Sequence, residues 1–318
     1  EGNRFTVKYK DGMLKSVPAE TLEGITILGS VQITSKCMEE CLQRGIPVSY
    51  FSKGGRYYGR LMSTGHVKAQ LQRKQAALYD TQFALELSQK IIQAKLQNQL
   101  VVLRRYARSR NVEIKDIEIM LANCISKTQY IHGIEELMGY EGTGAKYYFE
   151  GLSRCIEEDF VFKGRSKRPP LDAFNSMLSL GYSVLMNEVY GAIETKGLNP
   201  YFGFMHRDAE KHPTLASDMM EEWRAVLIDS TVMSMINGHE ISHSEFYNEI
   251  DRPGVFMMKD SLRKYLSKLE KKFQTESRYL GYVDYAVSFR RGIALQMKQL
   301  VNAIEAEDAS IYTPIRIR

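Results

Sequence analysis

VKAQLQRKQAALYDTQFALELSQKIIQAKLQNQLVVLRRYAR, residues 67–108, contains no glycine or proline and repeats an aliphatic residue every seven positions, at Leu71, Leu78, Leu85 and Ile92. Leu96, Leu100 and Leu103 continue the stripe, which is the pattern of an amphipathic helix with one buried face. The stretch predicts one long helix from about Val67 to Arg108, with the stripe as core. Upstream the punctuation changes. Nine of the 23 glycines fall in the first 65 residues, whereas His66–His132 has neither glycine nor proline. Short alternating segments predict strands at Arg4–Tyr9, Leu14–Val17, Ile25–Leu28, Pro47–Phe51 and Arg56–Met62, with a helix near Ser35–Arg44. The expected fold is α+β, with a small N-terminal β-rich domain (1–65) followed by a larger all-α domain (66–318), joined near Ser63–His66.

The chain has 318 residues, 44% hydrophobic and 25% charged, enough to bury a substantial core. No apolar run approaches the ~20 residues that span a bilayer, and Glu1–Lys10 shows no leader pattern. The expectation is a soluble protein of a prokaryotic cytoplasm without membrane contact. Glu1 is not a methionine, so the natural start is expected upstream. Cys37, Cys41, Cys124 and Cys155 are too irregularly spaced for a disulfide framework or a zinc site and are expected to be reduced. Cys37 and Cys41, at i and i+4 of a helix, read as small buried hydrophobes.

The net charge of +5 is unevenly distributed. From Cys41 to Tyr79 there is no Asp or Glu, while Arg44, Lys53, Arg56, Arg60, Lys68, Arg73 and Lys74 all fall there. Interleaved with Tyr50, Phe51, Tyr57 and Tyr58, these bases could neutralise phosphates and offer faces for stacking; the alternative is a solvated basic face with aromatics in the core. A second basic stretch, Lys163, Arg165, Lys167 and Arg168, precedes two prolines and a helix over Ala173–Glu188 that Asp172 can cap.

Glu141, His206 and an acidic helix opening at Pro213-Thr214 supply the donors of a divalent-metal site for cutting and joining DNA. Hard carboxylates at 141, 218 and 221 suit Mg²⁺ or Mn²⁺, and the imidazole at 206 shifts preference toward Mn²⁺. On that helix Leu215, Met219, Trp223, Val226 and Leu227 share one side. Asp218 and Glu221 lie ~60° apart on an adjoining stripe, while Glu222 is expected to turn toward solvent or Arg224 and to be dispensable. For the helix in isolation, acids in the first turn would serve only the helix dipole.

Four ordered motifs carry a resemblance: Glu-Gly-x-x-Ala-x-x-Tyr-Phe at 141–149, Arg-Pro-Pro-x-Asp-x-x-Asn-x-x-Leu-Ser-x-Gly-Tyr at 168–182, Gly-Leu-x-Pro-x-x-Gly-Phe-x-His at 197–206 and Leu-Ala-x-Asp-x-Met-Glu-Glu at 215–222. With the Gly-rich start and the closing Tyr312-Thr-Pro-Ile-Arg-Ile-Arg, the chain resembles the CRISPR-associated spacer-acquisition integrases over nearly its whole length. The resemblance implies a β domain that forms a homodimer, a helical catalytic domain, and a complex with a small ferredoxin-like partner. It also implies insertion of short foreign double-stranded DNA into the CRISPR repeat array by 3′-hydroxyl attack, without ATP. Carried over by position, the metal ligands are Glu141, His206 and Glu221, the last a longer arm where other members have Asp, and Asp218 is a supporting or alternative ligand. Rival readings are a stand-alone metal-dependent nuclease, a non-catalytic DNA-binding scaffold, and a transposon integrase of related fold. The last is expected to add a DNA-binding module that the residues to Arg318 do not contain.

Overall fold

The computed structural model describes residues 3–52, 57–65, 67–166, 169–250 and 253–317. The chain divides into two compact units, Glu1–Val67 and Lys68–Arg318. In the first, β1 (Arg4–Lys8) and β2 (Leu14–Pro18) form an antiparallel hairpin with Phe5 opposite Val17. A three-stranded sheet has the order β3 (Ile25–Leu28), β4 (Val48–Phe51), β5 (Tyr57–Leu61), parallel then antiparallel. A parallel pair needs a crossover, and α1 (Ser35–Arg44) provides it. Thr34 caps α1 by accepting the Cys37 N–H at 3.2 Å, and Cys41 packs with Ile27, Ile46 and Val48 beneath the sheet. Burial pushes the Cys41 thiol up to about 11, so it behaves as an inert core group.

The second unit is mostly helical, in keeping with the α+β class, but it is not the all-α domain expected: two short antiparallel strand pairs, Phe246–Asn248 with Val255–Met257 and Glu276–Ser277 with Val287–Ser288, are inserted between its helices. The single helix expected over 67–108 is two: α2 (Ala69–Ala77) and α3 (Gln82–Arg110). The break falls at Tyr79-Asp80-Thr81. Asp80 takes a left-handed conformation, φ 56°, which Asp tolerates better than most residues, and Thr81 Oγ1 donates back to the Leu78 carbonyl at 2.7 Å. The leucine stripe continues through the break, so hydrophobic periodicity alone could not reveal it. Further elements are α4 (Lys115–Lys127), α5 (Ile134–Cys155), α6 (Ala173–Thr195), α7 (Thr214–Trp223), α8 (Ser230–Asn237), α9 (Lys259–Gln274) and α10 (Phe289–Ala306). Asp172 caps α6, accepting the Asn175 N–H at 2.7 Å. A π-helical turn over 224–229 joins α7 to α8. No helix among the described residues is long and apolar enough to cross a membrane.

Helix α3 is the spine, with α5 and α7 packed along it. Gly144 eases the α5 approach: a Cβ there would meet Leu96 Cδ2 at 2.5 Å, so the buried Leu96 side chain would have to move. α7 is not the half-exposed amphipathic helix its pattern suggested, because every residue from Thr214 to Trp223 is buried. Glu222 accordingly turns neither to solvent nor to Arg224. Its Oε2 accepts from Gln296 Nε2 at 2.6 Å and the Ile315 N–H at 2.7 Å, and its Oε1 from the Tyr312 hydroxyl at 2.7 Å. Asn98 of α3 donates to the Ile315 carbonyl and accepts the Ile317 N–H, so the closing segment is strapped across the spine.

Burial pushes the Glu222 carboxyl up to about 8 against the opposing pull of its donors. The fold therefore keeps a proton that the unfolded chain releases, and the associated stability is lost as pH rises from about 4.5 through about 8. We expect E222Q, neutral throughout, to flatten the decline in melting temperature between about pH 6 and 8 by differential scanning calorimetry in chelator. Equal slopes for the two proteins would show that Glu222 does not hold that proton.

Candidate functional site

Three elements meet around the ammonium of Lys95 in α3. Its Nζ donates to Glu141 Oε1 of α5 and lies 2.6 Å from Glu221 Oε2 of α7. Lys95 is 4% exposed and the Glu221 side chain 3%, so these charges are confined to one another. Glu221 Oε2 receives no well-aligned hydrogen bond despite that closeness. The other oxygen, Oε1, pairs with Arg224 at 3.1 Å. Burial by itself would raise the Glu221 carboxyl, but Arg224, Lys95 and His206 hold it down at about 2. Burial likewise opposes the charge of Lys95, and Glu221 with Glu141 raises its pKa above the ordinary lysine value. Such a set is stable only when complete, because removing one partner strands the others without water.

His206 is brought to this set by Asp218. Asp218 Oδ2 accepts the N–H groups of Phe204 at 2.7 Å and Met205 at 3.1 Å, while Oδ1 accepts the His206 N–H at 3.1 Å and contacts His206 Nδ1 at 2.6 Å. Four donors use the whole acceptor capacity of a carboxylate. The loop can close so tightly over α7 because residue 203 is glycine: a Cβ there would stand 2.8 Å from both Asp218 Oδ2 and Thr214 Cβ. With Nδ1 held on Asp218, Nε2 is the nitrogen left to a ligand whenever the imidazole is neutral. Nε2 makes no hydrogen bond among the described residues. Burial lowers the imidazole pKa, and the hydrogen bond and charge of Asp218, with Glu221, more than offset it.

The donors suit a hard or borderline divalent ion: two carboxylates, one carrying a buried oxygen without an aligned hydrogen bond, and one imidazole with a free nitrogen. Among the described residues no three acid, imidazole or thiol groups converge on one point as they stand. The reason is local: Lys95 sits between Glu141 and Glu221, where a cation belongs. Of the four residues singled out from the sequence, Glu141, Glu221 and His206 are available as donors, and Asp218 is committed to holding the loop.

The basic residues divide. Arg165 reaches the cluster: it bonds Asn175 Oδ1 and lies over the rings of Phe149 and Tyr182, at 5.7 and 5.3 Å. Arg224 lies over the same Tyr182 ring at 5.1 Å, giving a path Arg165–Tyr182–Arg224–Glu221. Tyr182 is itself anchored on buried Asp229, 2.5 Å away. Lys163 and Arg73 are exposed, whereas Lys74 is taken up by the Glu305 carbonyl at 2.9 Å and the Glu307 carboxylate at 3.4 Å. In the N-terminal unit Arg60 is partly buried, with a 3.4 Å bond to Ser49 Oγ; Phe51 is core and Tyr58 is 68% exposed. Lys53, Arg56, Lys167 and Arg168 lie outside the described residues.

Sequence reasoning missed Lys95 and the role of Arg224. One signal was present: from Ile91 to Leu103 Lys95 is the sole charged residue, an isolated cation in an otherwise uncharged helix.

The fold and site define a two-part protein: a β-rich unit, then a mostly helical unit whose acids, lysine and histidine are gathered from three helices and a Gly-closed loop. The family model for CRISPR associated protein Cas1 matches residues 1–271, and the chain belongs to that family. It is 36% identical over 301 residues to the CRISPR-associated endonuclease Cas1 of Mycobacterium tuberculosis, covering 94% of this chain and 88% of the relative. It superposes on a Cas6-RT-Cas1–Cas2 complex chain with a TM-score of 0.85 and 25% identity, covering all of this chain but 35% of that one. A casposase bound to integration product has the same fold, at a TM-score of 0.84 and 21% identity, covering 100% of this chain and 92% of that one.

Replacing Lys95 by Met leaves two buried carboxylates facing one another. We expect K95M to lose roughly 3–5 kcal/mol of unfolding free energy at neutral pH in chelator, measured by urea denaturation. Wild-type stability would show that the ammonium does not hold the cluster.

Proposed function

We propose that this chain is a metal-dependent DNA endonuclease and integrase of CRISPR adaptation, joining a 3′-hydroxyl of a short foreign duplex to a phosphodiester of the repeat array. The observation that carries the reading is the Asp218 clamp. Four donors on one carboxylate fix the 203–206 loop and leave His206 Nε2 without a protein hydrogen bond among the described residues, the imidazole being charge-coupled to Glu221. Glu141, Glu221 and His206 Nε2 would hold Mg²⁺ or Mn²⁺, with Asp218 fixing the imidazole behind them. When bound, such an ion supplies a Lewis acid for the phosphodiester oxygens.

The chain's own residues do the rest. Arg224, stacked on Tyr182 and paired with Glu221, keeps a guanidinium beside the carboxylates and offsets their repulsion of an incoming phosphate. Lys95 preserves the spacing of Glu141 and Glu221 before the ion arrives. Arg165, over the same Tyr182 ring and two residues from Lys163, adds a second guanidinium beside Arg224. One phosphodiester is exchanged for another, so no nucleotide hydrolysis is needed.

The names of the relatives support the same reading: an endonuclease by name at 36% identity, and a Cas1–Cas2 assembly at 25%. On this reading the protein works in a prokaryotic cytoplasm as a homodimer formed through the β-rich unit, with a small ferredoxin-like partner, on double-stranded DNA.

Strand joining of a labelled 3′-hydroxyl duplex into a repeat-containing plasmid is expected with Mn²⁺ or Mg²⁺ and to vanish in chelator. E141A, H206A and E221A should each abolish it, and D218N should weaken Mn²⁺ binding by roughly 10–100-fold. Joining that persists in chelator would refute the proposal, and cutting without joining would assign a stand-alone nuclease.

A further inference from the structure

Helix α10 carries a group of charges that the reaction does not use. A cleft of about 420 Å³ beside it is lined by Lys68 at the start of α2, Lys196 at the end of α6, and Arg291 and Lys298 of α10, with Glu305 as its one lining carboxylate. None of the four cations forms an ion pair among the described residues. Acids are at hand on the neighbouring helices, since adjacent Arg290 holds both Glu188 of α6 and Glu270 of α9 at about 3 Å. The four cations lining the cleft instead repel one another. Burial, then Arg291, Lys298 and Lys68, depresses the Lys196 ammonium below the ordinary lysine value.

A second cleft of about 380 Å³ adjoins the first and shares Leu295, Lys298 and Asn302 with it. Tyr282, Tyr285 and Gln299 line it, with Asp284 as its carboxylate, and Tyr285 is 59% exposed. Four cations around one cleft, with Lys298 shared by the adjoining cleft that holds an open aromatic ring, match a ligand that alternates phosphates with flat bases.

We propose that these joined clefts form a second nucleic-acid contact, taking the phosphodiester backbone of a single strand among Lys68, Lys196, Arg291 and Lys298 and a base on Tyr285. The contact shares no residue with the Lys95 cluster and needs no metal, so it stands or falls apart from the integrase reading. A free phosphate would fill the cationic side alone and leave the ring unused. An acidic peptide would satisfy the lysines but has no flat faces to stack.

The test is fluorescence anisotropy of a labelled single-stranded oligonucleotide on the full chain in chelator, across a salt series. K196A/K298A should weaken binding at least tenfold at low salt and reduce the log–log salt slope by about 1.4, the share of two single-strand phosphate contacts. Y285A should weaken binding by roughly 5- to 100-fold and leave the slope unchanged. Because K196A/K298A relieves repulsion, its melting temperature should equal or exceed wild type, which separates lost binding from lost folding. Unchanged affinity and slope in K196A/K298A would overturn the proposal. So would displacement of the strand by inorganic phosphate, or by polyglutamate of equal charge, in wild type but not in K196A/K298A.

Discussion

Two carboxylates cannot face one another inside a helical core without a cation between them, and in this protein the cation is built into the chain. Lys95 joins Glu141 of α5 to Glu221 of α7 across the spine helix α3, with all three side chains largely shut off from water. Placing them there requires the close α3–α5 approach that Gly144 permits and the complete burial of α7. It also requires Arg224 on the other oxygen of Glu221, because one ammonium shared by two acids leaves a net negative charge. The helical unit is arranged around this demand, and the Asp218 clamp adds the histidine without adding another free acid.

The strap formed by the closing residues answers the same constraint from the opposite side of α7. Consecutive residues Glu221 and Glu222 point to different partners, one to the cations and one to Gln296, Tyr312 and the Ile315 N–H. Lys90 reinforces the strap by donating to the carbonyls of Ala309, Ser310 and Tyr312. A helix buried on all sides with three acids can hold its rotation only if each acid has its own partners, and here each does. The rotation of α7 sets where Glu221 points, so residues near the end of the chain bear on the cluster through Glu222.

Much of this was legible in the sequence where the signal is local. Asp172 caps the helix it precedes, and the strands at Ile25–Leu28 and Val48–Phe51 follow from alternation and flanking turn residues. What failed was non-local. Heptad spacing passes through the break at Asp80 because hydrophobic registry does not report a left-handed residue. Glu222 read as turning to solvent or Arg224 because its buried partner Gln296 lies more than 70 residues away, and the Lys95 partner of Glu221 lies more than 120 residues away, only Arg224 being local. Residue type and family motifs singled out Glu141, His206 and Glu221, which the fold brings near one another, whereas the cation between two of them was visible only as an isolated charge in α3.

The central claim is that Glu141, Glu221 and His206 Nε2 form a divalent-ion site that Lys95 keeps assembled and Asp218 supports without ligating. An anomalous difference map from crystals soaked in Mn²⁺, collected at the manganese edge, tests it directly. The account predicts one peak bounded by those two carboxylates and the imidazole, with Asp218 still accepting the N–H groups of residues 204–206. A peak ligated by Asp218 with the 203–206 loop released, or no peak beside Glu221, would contradict it.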